Sequence, residues 1–232
     1  MSDFLKKCLE RGLTPANVVS YLSLKFMPAF GSFLGTLRFR LKTRLLGIPA
    51  GRGVTAHGAV GIMRWPGSRI SIGDGVSFIS SWRRATAAAI SHPVRLRTFY
   101  PTSSIVIGDG CQLTGASLTC RSTSIELGKN VLVGPDVVIV DSDFHAPWPV
   151  ADRPVNPGVE NDRPVRIGDG AWIGMHSIIL KGVTVGKGAI IGAGSVVTRD
   201  IPDNAVACGC PARVVRRCDS FGHPAEDGTE KA

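Results

Sequence analysis

Residues 167–201 read IGDGAWIGMHSIILKGVTVGKGAIIGAGSVVTRDI, and a large aliphatic residue recurs in them at every sixth position. The recurring residues are Ile167, Ile173, Ile179, Val185, Ile191 and Val197. Mostly small residues occupy the fifth position of each hexapeptide: Ala171, Ser177, Val183, Ala189, Ser195 and Ile201. This period matches neither the turn of a helix, about 3.6 residues, nor the alternation of an isolated strand. It predicts a chain that turns a corner every six residues, closes a triangular coil after three hexapeptides and stacks its coils as parallel strands.

The same register returns upstream of this stretch. It is clear at Leu127, Val133 and Ile139, and fainter at Ile107 with Leu113 and at Ile72 with Phe78. Together these blocks predict roughly five coils. Three interruptions separate them, near residues 84–104, 119–124 and 145–164, and we expect these segments to loop out from the solenoid, where insertions often carry function.

The composition suits many short strands joined by tight corners, because the chain has 28 glycines and only 6% aromatic residues. The formal net charge of +9 is compatible with nucleic acid, anionic lipid or a phosphorylated small molecule as a partner. No basic run is interleaved with aromatic residues, as proteins that bind single strands require. We therefore expect a phosphorylated small molecule and no nucleic acid.

The cysteines give no indication of a metal site. The six cysteines include no C-x-x-C pair, and the lone C-x-C of Cys208 and Cys210 lacks a second ligand pair at metal spacing. We expect no metal and reduced thiols in the cytoplasm. Charged residues such as Lys6 and Lys7 interrupt the N-terminus, so we expect no cleavable signal peptide.

A larger segment, from Arg163 to Arg217, carries three motifs in order: the tripeptide WIG, the turn GAGSVVT followed by a basic residue and D-IP, and the exit G-x-P-A-R-x-V. This segment resembles the C-terminal half of hexapeptide-repeat acetyltransferases, among them maltose, galactoside and polysaccharide O-acetyltransferases. Weaker similarity extends back to about residue 50. The resemblance implies an all-β chain folded as a left-handed parallel β-helix. It also implies a homotrimer with acetyl-coenzyme A in the groove between neighbouring prisms.

The resemblance also identifies a candidate catalytic residue, His145, which ends the coil VGPDVVIVDSDFH and opens the third interruption. Acetyl transfer from a thioester needs a base that removes the hydroxyl proton, and an imidazole with an ordinary pKa of about 6.5 suits that task. Asp143 or Asp141 could accept the proton on the other ring nitrogen and fix the tautomer. We favour Asp143, and a solvated loop histidine is the alternative without a function.

By position in the motifs, six residues match those that line the coenzyme A groove in relatives: Met175, Ala193, Thr198, Arg199, Arg213 and Arg216. Backbone groups near Met175 and Ala193 could pair with the pantetheine amides, and Arg199 and Arg216 with the phosphates. Trp148 lies in the interruption that follows His145, where an exposed indole could stack on the sugar acceptor. Anchoring of the loop is the alternative role of Trp148.

The chain divides into three predicted parts. Residues 1–47 lack the six-residue period and form a helical N-terminal appendage, residues 48–217 form the β-helix, and residues 218–232 form a disordered tail. Lysine and arginine alternate with apolar residues before residue 47, a pattern that predicts a basic amphipathic helix. It could lie on the inner surface of the membrane, or it could cap the end of the solenoid.

We predict an acyltransferase that uses acetyl-coenzyme A to acetylate a hydroxyl of a sugar or polysaccharide precursor. An N-acetyltransferase acting on an amino-sugar nucleotide would keep the same donor and base. A non-catalytic trimeric scaffold is the alternative from another class, because the fold alone does not specify a function. A γ-class carbonic anhydrase shares the architecture, but it needs zinc-binding histidines close in sequence, which this chain lacks.

Overall fold

The computed structural model describes Gly12, residues 15–85 and residues 90–218. A single long helix, α1 (Pro15–Leu45), precedes nineteen short strands in the part of the chain so described. These strands form three sheets that are the three faces of a triangular prism. Every pairing within them is parallel except that of the last two strands.

The first face has eight strands, in the order β1 (Thr55–His57), β4 (Ser77–Ile79), β7 (Gln112–Thr114), β10 (Leu132–Val133), β13 (Trp172–Ile173), β16 (Ile190–Ile191), β18 (Ala205–Gly209) and β19 (Ala212–Arg217). The second face has six, namely β2 (Gly61–Met63), β5 (Arg95–Thr98), β8 (Ser117–Cys120), β11 (Val138–Val140), β14 (Ile178–Ile179) and β17 (Val196–Val197). The third face has five, namely β3 (Arg69–Ile72), β6 (Ser104–Ile107), β9 (Ser124–Leu127), β12 (Val165–Ile167) and β15 (Thr184–Val185).

The hexapeptide repeat fills the interior of the prism. All the residues at the first and fifth repeat positions between Ile167 and Ile201 are buried. Equivalent residues of successive coils stack in register, so that Val133 pairs with Ile173 and Ile173 with Ile191. Each coil thereby satisfies the backbone groups of its neighbour and adds one aliphatic layer to a continuous core. The predicted fold, a left-handed parallel β-helix, is confirmed.

The described chain makes five coils with all three strands, in agreement with the predicted number, and a sixth with two. The first predicted interruption, 84–104, is wrong in part, because residues 95–98 form β5 and Leu96 is fully buried. The described residues 90–94 and 99–103 flank this strand as loops. The second interruption, 119–124, narrows to a corner at 121–123, since β8 ends at Cys120 and β9 begins at Ser124.

Helix α1 packs against the first coil and closes this end of the core. The Phe39 ring lies 5.2 Å from the ring of Phe78, between centroids. Gly35 is buried, and a Cβ there would lie 2.3 Å from the carbonyl oxygen of Ala56, so only glycine permits the close approach. In the described residues no helix has both the length and the hydropathy to cross a bilayer.

The predicted appendage is therefore helical from Pro15 to Leu45, and part of it caps the solenoid. The predicted domain boundaries remain predictions. The tail predicted to be disordered lies outside the described residues from position 219 onward.

Candidate active site

The residues predicted from the sequence to form the site lie mostly at two of the three corners of the prism. The first corner joins the first face to the second and includes residues 134–137, 174–177 and 192–195. The second corner joins the second face to the third and includes residues 141–164, 180–183 and 198–201. The long segment 141–164, here called the histidine loop, leaves the prism at the end of β11 and returns at the start of β12.

His145 is exposed near the start of the histidine loop. Its Nδ1 lies 3.0 Å from the carbonyl oxygen of Arg153, further along the same loop. A carbonyl only accepts hydrogen bonds, so in the neutral ring Nδ1 carries the proton and Nε2 becomes the acceptor. The Arg153 guanidinium in turn donates to the carbonyl oxygen of Pro147 at 3.0 Å. The loop thus presents an imidazole in the tautomer that a general base needs.

The two aspartates predicted to orient His145 bind other groups. Asp141 is fully buried and accepts hydrogen bonds from the backbone amides of Arg121 at 2.6 Å and Thr123 at 2.9 Å, at the corner one coil below. Asp143 pairs with Lys181, whose Nζ lies 2.5 Å from Oδ2. The prediction that Asp141 or Asp143 binds the ring is corrected here, because the backbone of the loop supplies the partner.

A buried ion pair fastens the histidine loop to the prism. The Arg121 guanidinium donates two hydrogen bonds to the Asp162 carboxylate, at 2.9 and 2.6 Å, and a third to the carbonyl oxygen of Pro157. Burial raises the pKa of Asp162, but hydrogen bonds from Arg121, Ser122 and Ser142 outweigh burial and leave the pKa below its ordinary value. Burial also opposes the charge of Arg121, yet Asp162 and Asp141 raise the pKa of the guanidinium.

The residue before His145 has an unusual backbone conformation. Phe144 has a φ of 65°, a left-handed conformation that costs a bulky residue about 1–3 kcal/mol. Its ring is held edge-on to Phe99, with centroids 6.3 Å apart, and the Arg121 guanidinium carbon lies 5.7 Å from its centroid. The same arginine therefore anchors both the end of the loop and the residue that sets the direction of His145.

Sequence reasoning missed Arg121, Arg153, Asp162 and Lys181. Arg121 lies at a break in the six-residue register, and Asp162 lies at the end of an interruption, but neither position has a motif. The role of Arg153 rests on its backbone carbonyl, which every residue has. No sequence signal could have identified that contact.

A groove of about 480 Å³ runs along the first face to the first corner. Met175 and Ala193, both predicted to bind the cofactor, line it together with Trp172, which is half exposed. Gly174 forms part of the floor, where a Cβ would lie 2.6 Å from the Ala193 nitrogen, so a side chain there would force the coils apart. The walls are mostly apolar, and exposed backbone at the corner offers polar groups for an extended ligand.

The other predicted site residues lie elsewhere and are all exposed. Thr198 and Arg199 lie at the second corner, two coils beyond the histidine loop, and Arg213 and Arg216 lie on β19 at the C-terminal end of the first face. Trp148 is 73% exposed on the histidine loop. The structure therefore brings Met175 together with Ala193, and Thr198 with Arg199, but it does not unite the two pairs.

The groove and His145 are also separated within one chain. They lie at opposite edges of the second face, and the path from Pro135 to Asp141 along this face spans six residues, or about 20 Å. A thioester at the Met175 corner would thus lie far from the imidazole of the same chain. A second copy that places its second corner beside the first corner of this chain would close that gap.

Comparisons with known proteins agree with this architecture. The family model described as Bacterial transferase hexapeptide (six repeats) matches residues 164–199. The galactoside O-acetyltransferase of Escherichia coli (strain K12) is 38% identical over 120 residues, which are 52% of this chain and 51% of that protein. The chain spans about half the length of the curated relatives that it matches.

Solved structures share the fold at low sequence identity. AntD, an N-acyltransferase from Bacillus cereus in complex with dTDP and 3-hydroxybutyryl-CoA, superposes with a TM-score of 0.59 and 19% identity, over 78% of this chain and 89% of that chain. A variant of AntD in complex with dTDP-4-amino-4,6-dideoxyglucose and coenzyme A has a TM-score of 0.57 and 19% identity, over 78% and 90% of the two chains. The solved structures support the fold alone, and the family model together with the Escherichia coli relative confirms the resemblance to hexapeptide-repeat acetyltransferases.

Proposed function

We propose that this chain transfers an acetyl group from acetyl-coenzyme A to a hydroxyl of a sugar or polysaccharide precursor. The observation that carries the proposal is the exposed His145, whose Nδ1 is bound by the Arg153 carbonyl so that Nε2 can accept a proton. The similarity to a galactoside O-acetyltransferase supports both the reaction and the class of acceptor.

The chemistry requires one base and a bound thioester. Nε2 of His145 takes the proton of the acceptor hydroxyl as its oxygen attacks the thioester carbonyl carbon. The C–S bond then breaks, the acetyl group remains on the acceptor oxygen, and the coenzyme A sulfur takes the proton from the imidazolium. The Arg153 carbonyl stabilises the charged ring through Nδ1–H, and no aspartate is needed for this step.

The donor is proposed to lie between two chains of a homotrimer. The groove at Met175 and Ala193 of one chain would hold the pantetheine arm, and Thr198 and Arg199 of the next chain would face it across the interface. Guanidinium groups form strong charge-assisted hydrogen bonds with phosphate, which suits Arg199, Arg213 and Arg216 to the nucleotide end. Threefold closure would give three equivalent sites, each with the histidine of one chain and the groove of another.

Trp148 is the proposed acceptor contact. Its exposed indole shares the histidine loop with His145, and an indole offers a flat apolar surface to the face of a sugar ring. An acceptor stacked there would be held near the base.

A panel of acceptors tests this function. The purified chain is incubated with acetyl-coenzyme A and, separately, galactosides, maltose and an amino-sugar nucleotide, while thiol release and product mass are followed. We expect release with a hydroxyl acceptor and an ester product that hydroxylamine cleaves. An amide product on the amino sugar would replace this proposal with N-acetylation. If coenzyme A does not bind and no thiol is released from acetyl-coenzyme A, the alternative of a non-catalytic scaffold would be favoured.

A further inference from the structure

Helix α1 carries an apolar stripe on the side that faces away from the prism. Phe33, Leu37, Leu41 and Leu45 are 65%, 56%, 59% and 78% exposed. Their spacing of four residues keeps them on one side of the helix. The side chains that dock on the first coil belong to the opposite side, about 180° away at about 100° per residue. Burial of that docked side therefore leaves the stripe uncovered within the chain.

The same end of the molecule is strongly basic. Residues 15–73 contain eight lysines and arginines and no aspartate or glutamate. Four of these cations, Arg38, Arg40, Lys42 and Arg44, belong to the turns of α1 that carry the stripe. Three of the four, all the arginines, are exposed. An apolar stripe bordered by arginine is the pattern of helices that lie in the interface of a bilayer.

A groove of about 440 Å³ beside the stripe adds a place for an anionic group. Arg40, Arg44 and Arg52 line it together with the apolar Phe39 and Ile48. Neither Arg40 nor Arg44 forms an ion pair with any residue of the described segments, and the guanidinium of Arg52 lies 3.9 Å from the Asp74 carboxylate. Three guanidinium groups around an apolar floor fit a phosphate attached to an acyl chain.

We propose that this end of the prism docks on the surface of a bilayer that contains anionic phospholipids. The stripe from Phe33 to Leu45 enters the interface, and the arginines contact lipid phosphates. Charge and apolar burial act together in such binding, because neither alone holds a protein firmly on a membrane. The inference does not depend on the acyl-transfer proposal, since it uses none of the residues of that site.

Vesicle flotation of the full chain tests the proposal. Vesicles of phosphatidylcholine alone are compared with vesicles that also contain phosphatidylglycerol. We expect the chain to float with the mixed vesicles and not with the neutral ones. The bound fraction should fall sharply between about 0.1 M and about 1 M salt, as the screening length shortens from about 10 Å to about 3 Å.

Two double variants separate the two contributions. Arg40→Glu with Arg44→Glu, and Leu37→Gln with Leu41→Gln, should each lower the partition coefficient by at least about tenfold, the first through charge and the second through lost apolar burial. The control for charge is Lys187→Glu with Arg217→Glu, which changes the net charge by the same amount as the arginine variant, on exposed residues at the other end of the prism. This control should bind like the unchanged chain, and circular dichroism with sedimentation confirms that each variant stays folded.

Four outcomes would overturn the proposal. Equal binding to both kinds of vesicle, or none to either, would exclude an anionic surface as the partner. A shift of oligomeric state in the leucine variant, with no vesicle binding by the unchanged chain, would mean that a second copy covers the stripe. Binding of inorganic phosphate that depends on Arg40 and Arg44, again without vesicle binding, would mean a site for a free anion.

Discussion

At the scale of single residues, the orientation of His145 is the contact on which the chemistry depends. Sequence reasoning identified His145 through the motif around it but assigned its partner to Asp143 or Asp141. In the structure the partner is the Arg153 carbonyl. Asp141 accepts a hydrogen bond from the Arg121 amide, and Asp143 pairs with Lys181. A carboxylate close to a histidine in the chain can be recognised from the sequence. A backbone carbonyl eight residues away becomes a neighbour of the histidine only when the loop folds back.

Replacement of His145 by alanine should lower kcat by about 10²- to 10⁴-fold, the range for loss of a general base. The side chain is exposed, so we expect the melting temperature and the affinity for coenzyme A to stay unchanged. Steady-state thiol release and calorimetric binding measure the two effects. His92→Ala, on another loop, serves as the matched control and should keep full turnover. Equal loss in both variants would remove His145 from the mechanism.

The Arg121–Asp162 pair should matter for stability. Arg121→Met leaves a buried carboxylate without its partner, and we expect the free energy of unfolding to fall by about 3–5 kcal/mol. The double variant Arg121→Met with Asp162→Leu removes both charges and should recover most of that loss. Chemical denaturation of the unchanged chain, both single variants and the double variant gives the coupling energy. A double variant as unstable as the sum of the single ones would refute the pairing.

The same pair makes stability depend on pH. The folded pKa of Asp162 lies below its ordinary value, so its stabilisation is complete above the unfolded pKa of about 3.9 and is lost as the pH falls through the folded value. The melting temperature of the unchanged chain should therefore drop as the pH falls below about 4. The double variant lacking both charges should show a smaller drop over the same range.

At the scale of elements, the strands that repeat every six residues were predicted well and the irregular segments poorly. Each aliphatic residue at the first repeat position between Ile167 and Val197 is buried, because the narrow prism admits only that position and the fifth. Strand β5 was missed because RLRT contains a single aliphatic residue between two arginines. Its partner strands on either side impose the extended conformation, which the residues of β5 themselves do not predict.

Helix α1 is an element whose two sides have different roles, and paired phenylalanine variants distinguish them. Phe39→Ala removes a ring that is 3% exposed and should lower the free energy of unfolding by about 3–5 kcal/mol. Phe33→Ala, a change of the same size at a ring that is 65% exposed, should alter it by less than about 0.5 kcal/mol. Denaturant titration checks both. Equal effects would mean that the helix does not pack as described.

At the scale of the whole molecule, the parts of the proposed site lie along different edges of one prism. The repeat predicts the prism, but it does not say at which corner a loop or a groove will fall. The corner at which a loop or a groove lies depends on the number of residues in each corner of each coil. The interruptions of the repeat change that number. The residues assigned through the motifs consequently lie at three separate places, the first corner, the second corner and β19. The proposed homotrimer would bring these places together.

The whole molecule also relates the two proposals. The basic end is formed by the first coil and α1, and the coil that carries the histidine loop is the fourth. Three stacking steps of about 4.8 Å give about 14 Å between them. Helix α1, about 10 Å across, lies between the first coil and the membrane. A chain docked by its basic end would therefore hold His145 about 25 Å above the lipid surface, where a glycan attached to an anchored lipid could reach it.

The most direct test of the central claim mixes two inactive chains. His145→Ala keeps the groove, and Ala193→Trp keeps the histidine but fills the groove at the first corner. If each site takes its histidine from one chain and its groove from the next, equal co-expression should restore about one quarter of the activity per site. Thiol release from acetyl-coenzyme A measures it. A mixture no more active than either parent would contradict a site shared between chains.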